Sequence, residues 1–135
     1  MVLGSVTAKN LDLAACYGDS HSSAWPVTVY LALFVGDPTS GGVELTVGTG
    51  GYDRLALDND SFHFAAPSGG SQANAMDFTF PACTGPWSGD ADHWGYMSLP
   101  TAGDLLDCGA LAGPITGTAL GIVVNFPAGS LVVSA

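Results

Sequence analysis

Positive charge is the scarcest property of this sequence: Lys9 and Arg54 are its only basic residues, set against eleven Asp and Glu44. The resulting formal net charge of -10 excludes sequestering DNA or RNA, because phosphate binding needs Lys and Arg to release counterions. It argues equally against docking on an anionic lipid surface. Charge of either sign is sparse, at 10% of residues, whereas 47% are hydrophobic, the reverse of a disordered chain. A weakly charged, largely apolar surface suits a subunit that buries much of its outside in an assembly.

Paired cysteines are lacking too. Cys16, Cys83 and Cys108 are odd in number and show no C-x-x-C spacing, which excludes a disulfide framework and a zinc site of ordinary spacing. Three reduced thiols, expected to be buried as small apolar groups, suit a protein made in a reducing cytoplasm. Long apolar runs are absent: the longest, Val29 to Val35, is far too short to cross a bilayer. Met1 to Lys9 has no basic stretch followed by an apolar core, so no secretory signal is expected. Helical periodicity is confined to Ser5–Ala15, where Ser5 or Thr7 can cap, Leu11, Ala14 and Ala15 form a small apolar face, and Gly18 stops the helix.

What is abundant is turn chemistry. The 19 Gly and 8 Pro recur at short intervals, with β-branched and aromatic runs between them. Val27–Val35 reads as a central strand buried on both faces, and Gly36 to Gly42 as a turn. Further strands are expected at Val43–Val47, Tyr52–Leu57, Ser61–Ala66 and Ala75–Phe80, the last with Met76, Phe78 and Phe80 on one face. Asp92–Leu99, Asp104–Leu111, Leu120–Phe126 and Leu131–Val133 complete the set. The expected fold is all-β: a single-domain β-sandwich, jelly-roll or Ig-like, with one short N-terminal helix. Residues 1–26 would form the helix and loop, and residues 27–135 the sandwich.

The stretch that organises this reading is Gly48-Thr49-Gly50-Gly51-Tyr52-Asp53-Arg54. Its glycines permit a sharp turn, and a strand leaves it. In so acidic a chain, Arg54 should find carboxylate or backbone-carbonyl partners through its planar fork of donors. It either staples a loop to a sheet or contacts a neighbouring subunit or ligand. Tyr52, Arg54, Trp25, Trp87 and Trp94 are therefore the candidate interface or structural residues, since the aromatics could form a core or line a sugar-binding face.

Catalytic constellations are weaker. Gly18-Asp19-Ser20-His21 with Asp90-Ala91-Asp92-His93 imitates the nucleophile and base of an SGNH-type esterase. That fold alternates strands and helices, which this chain does not, so no enzyme activity is expected. Asp58-Asn59-Asp60 begins a calcium loop but lacks its glycine and closing glutamate. Asp90, Asp92 and His93 could gather a cation, but His93 reads more simply as a strand residue, and His63 as packed between Phe62 and Phe64. Gly48 to Gly51 lacks the Lys and helix of a phosphate loop. No metal and no cofactor are expected.

Several short signatures occur in order: Leu31-Ala32-Leu33-Phe34-Val35-Gly36-Asp37-Pro38, Gly50-Gly51-Tyr52-Asp53-Arg54, Ala66-Pro67-Ser68-Gly69-Gly70 and Phe78-Thr79-Phe80-Pro81. His93-Trp94-Gly95-Tyr96, Leu105-Leu106-Asp107-Cys108-Gly109-Ala110-Leu111 and Phe126-Pro127-Ala128-Gly129-Ser130-Leu131 follow. From about Tyr30 onward the chain resembles small virion proteins of tailed bacteriophages, labelled head-decoration, minor tail or tail-fibre proteins. The resemblance implies a β-sandwich structural subunit with no catalytic residues. The leading expectation is a capsid decoration (cement) protein on the outer capsid surface, with the major capsid protein or copies of itself as partners and no nucleic acid or membrane. The alternative is a tail-tip or tail-fibre adhesin binding host-surface glycans.

Overall fold

The Val29–Val35 run forms the strand about which the largest sheet is built. In a computed structural model that describes residues 16–19, 21–22 and 25–134, β1 (Thr28–Val35) carries Leu31, Ala32 and Leu33 with no exposed surface. Branched and aromatic side chains on both faces make this segment stable only where both faces are covered. Ala32 and Phe34 pack on one face with Met97, flanked by Tyr30 and Leu105.

β1 is central because both of its edges are paired. On one side β6 (His93–Met97) runs antiparallel to it, with Tyr30 opposite Met97 and Phe34 opposite His93. β7 (Leu105–Ala110) then pairs antiparallel with β6. On the other side the edge is shared: β2 (Val43–Glu44) pairs with Val35 and Phe34, and β3 (Leu55–Asp58) also pairs with β1. Two smaller sheets complete the set. β4 (Ser71–Ala73) pairs antiparallel with β9 (Val132–Ser134), and β5 (Phe78–Thr79) with β8 (Asn125–Phe126). The protein is all-β.

The chain divides into two compact units, each assembled from separated stretches. One holds the described residues up to Thr28, with Leu57–Phe78 and the stretch from Phe126; the other holds Val29–Ala56 and Thr79–Asn125. In the first unit Tyr17, Phe64 and Phe78 make a buried aromatic row, with ring centroids 5.1 and 6.0 Å apart. Its backbone is largely loop, and buried side-chain amides satisfy it. Asn59 Oδ1 accepts from Gly18 N–H, while Nδ2 donates to the Cys16 and Pro26 carbonyls. Asn74 acts likewise: Oδ1 accepts from Leu131 N–H and Nδ2 donates to the Met76 and Pro127 carbonyls. Each such amide replaces ladder bonds that irregular backbone cannot make for itself.

Several expected strands are shorter than the patterns implied, and one is absent. Ser61–Ala66 is a turn rather than a strand, because Asp60 bonds the Phe62 and His63 N–H groups through its side chain and Phe64 N–H through its carbonyl. Phe64 makes only an isolated bridge to Asn74. The strand that does form nearby, β4, falls between the expected strands Ser61–Ala66 and Ala75–Phe80, where no strand was expected. Met76 is 44% exposed and does not share the buried face of Phe78 and Phe80. From Leu120 to Val123 the chain is irregular with Leu120, Ile122 and Val123 exposed, so only Asn125–Phe126 is strand. The expected helix at Ser5–Ala15 lies outside the described residues.

Two glycines allow close approaches that any side chain would block. Trp94 lies opposite Gly109 across the β6–β7 ladder, and a Cβ at Gly109 would come within 2.8 Å of the indole Nε1. Gly50, at φ 63°, accepts from Thr84 N–H and sits directly against the Gly85 and Pro86 carbonyls. Gly50→Ala combines left-handed strain with that overlap and should cost about 2–4 kcal/mol, read as a lower urea midpoint at unchanged slope; an unaltered midpoint would show that the loop simply moves aside.

Candidate functional site

Arg54 stands immediately before β3, and Glu44 ends β2. Arg54 Nε donates to Glu44 Oε2 at 2.9 Å and Nη2 to Glu44 Oε1 at 2.7 Å, a two-point pairing of fork and carboxylate. Its Nη1 donates to the Leu99 and Ala102 carbonyls at 2.8 and 2.7 Å. Both carbonyls belong to the loop between β6 and β7, where Ala102 takes a left-handed φ of 52°. The Arg54 side chain is 6% exposed. The hydrogen bonds to Glu44, more than the charge itself, hold its guanidinium above its ordinary pKa.

Tyr52 completes the cluster. Its hydroxyl accepts from Leu33 N–H at 3.0 Å and donates to Glu44 Oε2 at 2.9 Å. Leu33 adjoins the short β1–β2 ladder, so the phenol supplies an acceptor where the shared strand edge offers none. Burial pushes the Tyr52 pKa far above the usual phenol value, and the nearby Glu44 charge adds to the shift. Tyr96 is likewise pushed up by burial, with Asp107 contributing.

The tryptophans separate. Trp87 is 7% exposed and packs edge-on against Tyr52 and Phe80, with centroids 5.4 and 5.7 Å away. Trp94 is 2% exposed and lies 4.9 Å from Tyr96. Neither presents a ring face to a ligand. Trp25 is half-buried, 5.3 Å from Tyr17. Tyr52, Arg54 and Trp87 are thus brought together, while Trp25 belongs to the other unit.

The chemical lures resolve into local hydrogen bonding. Ser20 lies outside the described residues. Asp92 Oδ1 accepts from Gly36 N–H and pairs with His93 Nδ1, and Asp60 Oδ1 pairs with His63 Nδ1. Among the described residues, no group of three or more His, Cys, Asp or Glu is placed to hold a metal ion.

A site that sequence patterns did not single out lies in the first unit. A pocket of about 260 Å³ is lined by Tyr17, Gly18, Asp19, Ser61, Phe64, Ala65, Ala66, Pro67 and Gln72. The turn at Asp60 carries Ser61 to the rim, where its N–H and hydroxyl donate to the Asp19 carboxylate at 2.9 and 2.7 Å. These bonds, the hydroxyl first, hold Asp19 below the usual carboxylate range, so it is ionised at neutral pH. Gln72 projects from β4 and is 4% exposed; its Nε2 donates to the Ala65 carbonyl, which assigns the amide orientation. Among the described residues, Gln72 Oε1 and Trp87 Nε1 are buried without a hydrogen-bond partner, a condition that costs about 1–3 kcal/mol each when nothing compensates it. Four separate stretches of the chain build this pocket, and no spacing motif links them.

Comparison with known families gives one result that spans the chain. The model described as Podophage GP4 fiber I protein gp80 matches residues 7–134. No curated protein matches the chain.

Two measurements check the Tyr52–Glu44–Arg54 cluster. Arg54→Lys keeps the charge but cannot reach both carboxylate oxygens and two carbonyls, and should lose about 2–3 kcal/mol of stability in urea denaturation. A loss below half of that would reduce the cluster to an ordinary surface ion pair. Stability should also fall as pH rises past about 10. There the unfolded chain ionises tyrosines that the native state keeps protonated at Tyr52 and Tyr96, so the stabilisation present below that pH is progressively lost. Alkaline denaturation followed by tyrosinate absorbance reads this directly; native-state titration at ordinary phenol pH would contradict it.

Proposed function

The chain belongs to the Podophage GP4 fiber I protein gp80 family, and from that premise we propose that it is a component of the tail fibre rather than a cement of the head. It is a phage virion structural protein. The leading expectation from sequence, capsid decoration, gives way here to its alternative, because the family description names a fiber and the match runs from residue 7 to 134.

The physical character of the chain is compatible with such a place. With a net charge of -10 it has no chemistry for holding packaged DNA. Val27, Val43, Phe62 and Leu120, each at least 68% exposed, offer apolar contacts to neighbouring virion subunits. Contact with host-surface glycans belongs to the same reading, although Trp87 and Trp94 are spent on packing and cannot supply it.

Immunogold labelling of intact virions with antibody against this chain should decorate the tail fibres and leave the head bare. Label distributed over the head would restore the cement reading and overturn this one.

A further inference from the structure

We infer that the uncharged ridge formed by residues 81–84 and 119–123 is an interface for a second copy of this chain, the same face meeting on both copies. The inference deepens the fibre reading by naming a partner, and rests on that reading only for its biological purpose.

The ridge is built from two stretches that no charged residue enters, both within the unit that holds Thr79–Asn125. No Asp, Glu, Lys or Arg lies between Asp77 and Asp90, and none follows Asp107. Backbone bonds hold the two stretches together: Phe80 N–H donates to the Val124 carbonyl, Cys83 N–H to that of Ile122, and Gly121 N–H to that of Cys83. Phe80, Cys83 and Val124 take the buried positions. Leu120, Ile122 and Val123 are left outside, at 79%, 46% and 52% exposure. Pro81 and Ala82 are exposed on the facing stretch. Three large apolar side chains exposed within four residues of bonded chain form a contact surface rather than a frayed end.

Charge selects the partner. Arg54 is the one Lys or Arg among the described residues, and it already bonds Glu44, Leu99 and Ala102. Two copies meeting through acidic surface would set carboxylate against carboxylate with no cation between them, which is strongly unfavourable. A basic partner would be drawn to that acidic surface instead. The uncharged ridge therefore fits a partner that is itself acidic, and this chain, at a net charge of -10, is one. Apolar side chains need no matching donor or acceptor, so the ridge is complementary to its own copy, as a two-fold contact requires. The family description names a fiber, and a chain of 135 residues without an internal repeat takes part in one only by joining other chains.

The test is analytical ultracentrifugation of the full chain over a range of concentrations, at low and high sodium chloride. The chain should pair reversibly, and more tightly at high salt, because screening relieves the repulsion between two acidic copies while the apolar contact persists. Leu120→Asp sets a new carboxylate in each of the two facing ridges. It should weaken pairing at least about tenfold, with the far-ultraviolet circular dichroism of the folded chain retained. Phe62, 77% exposed, lies in the other unit, so Phe62→Asp should pair as the wild type does. A chain that stays monomeric at every concentration would overturn the proposal, as would pairing that loosens with salt or that Phe62→Asp disrupts equally. A monomeric chain whose Leu120→Asp variant is lost from virions gives the ridge to another virion protein, which also overturns it. Gold label on the head together with Leu120-dependent pairing keeps the ridge and removes the fibre role. Label on the fibres with a monomeric chain keeps the fibre role and removes the ridge.

Discussion

Glu44 is the acceptor on which the larger unit of this protein depends. One carboxylate takes the Tyr52 hydroxyl and two donors of Arg54, and Arg54 reaches on to two carbonyls of the β6–β7 loop. Through these bonds a two-residue strand, the start of β3 and a hairpin loop are held in one geometry. None of the three could hold it alone, because short strands and open loops lose more chain entropy than their few ladder bonds return. The phenol closes the gap beside Leu33, where the edge of β1 passes out of the β2 ladder.

The smaller unit solves the same problem without charge. Asn59 and Asn74, 5% and 2% exposed, each hydrogen-bond at least three backbone groups through a single side-chain amide. A neutral amide carries both a donor and an acceptor and avoids the desolvation cost of a carboxylate. This suits a chain with one Lys or Arg among its described residues, since a second buried carboxylate would have no guanidinium to meet. Gln72 departs from that economy, because its nitrogen is used and its oxygen is not.

Much of the larger sheet could be read from local pattern. Val27–Val35 was recognisable as a doubly covered strand because its apolar run has no polar alternation, and β6 and β7 follow similar logic. The misreadings have a common source. Ser61–Ala66 has strand-like alternation, but the Asp60 side chain offers the backbone a competing set of bonds and a turn forms. The aromatics that looked available for a sugar face are largely the core: Trp94 fits beneath the sheet only because its cross-strand neighbour is Gly109.

By itself the sequence determined the all-β class and the need of Arg54 for acceptors, because composition, alternation and charge balance are properties of neighbouring residues. Tertiary structure alone decided that the acceptors are Glu44, Leu99 and Ala102. It also decided that Asp19, Ser61 and Gln72 share one pocket. Those partners lie tens of residues apart with no repeat or spacing to connect them, and only the closing of long loops against a buried core brings them within hydrogen-bond reach.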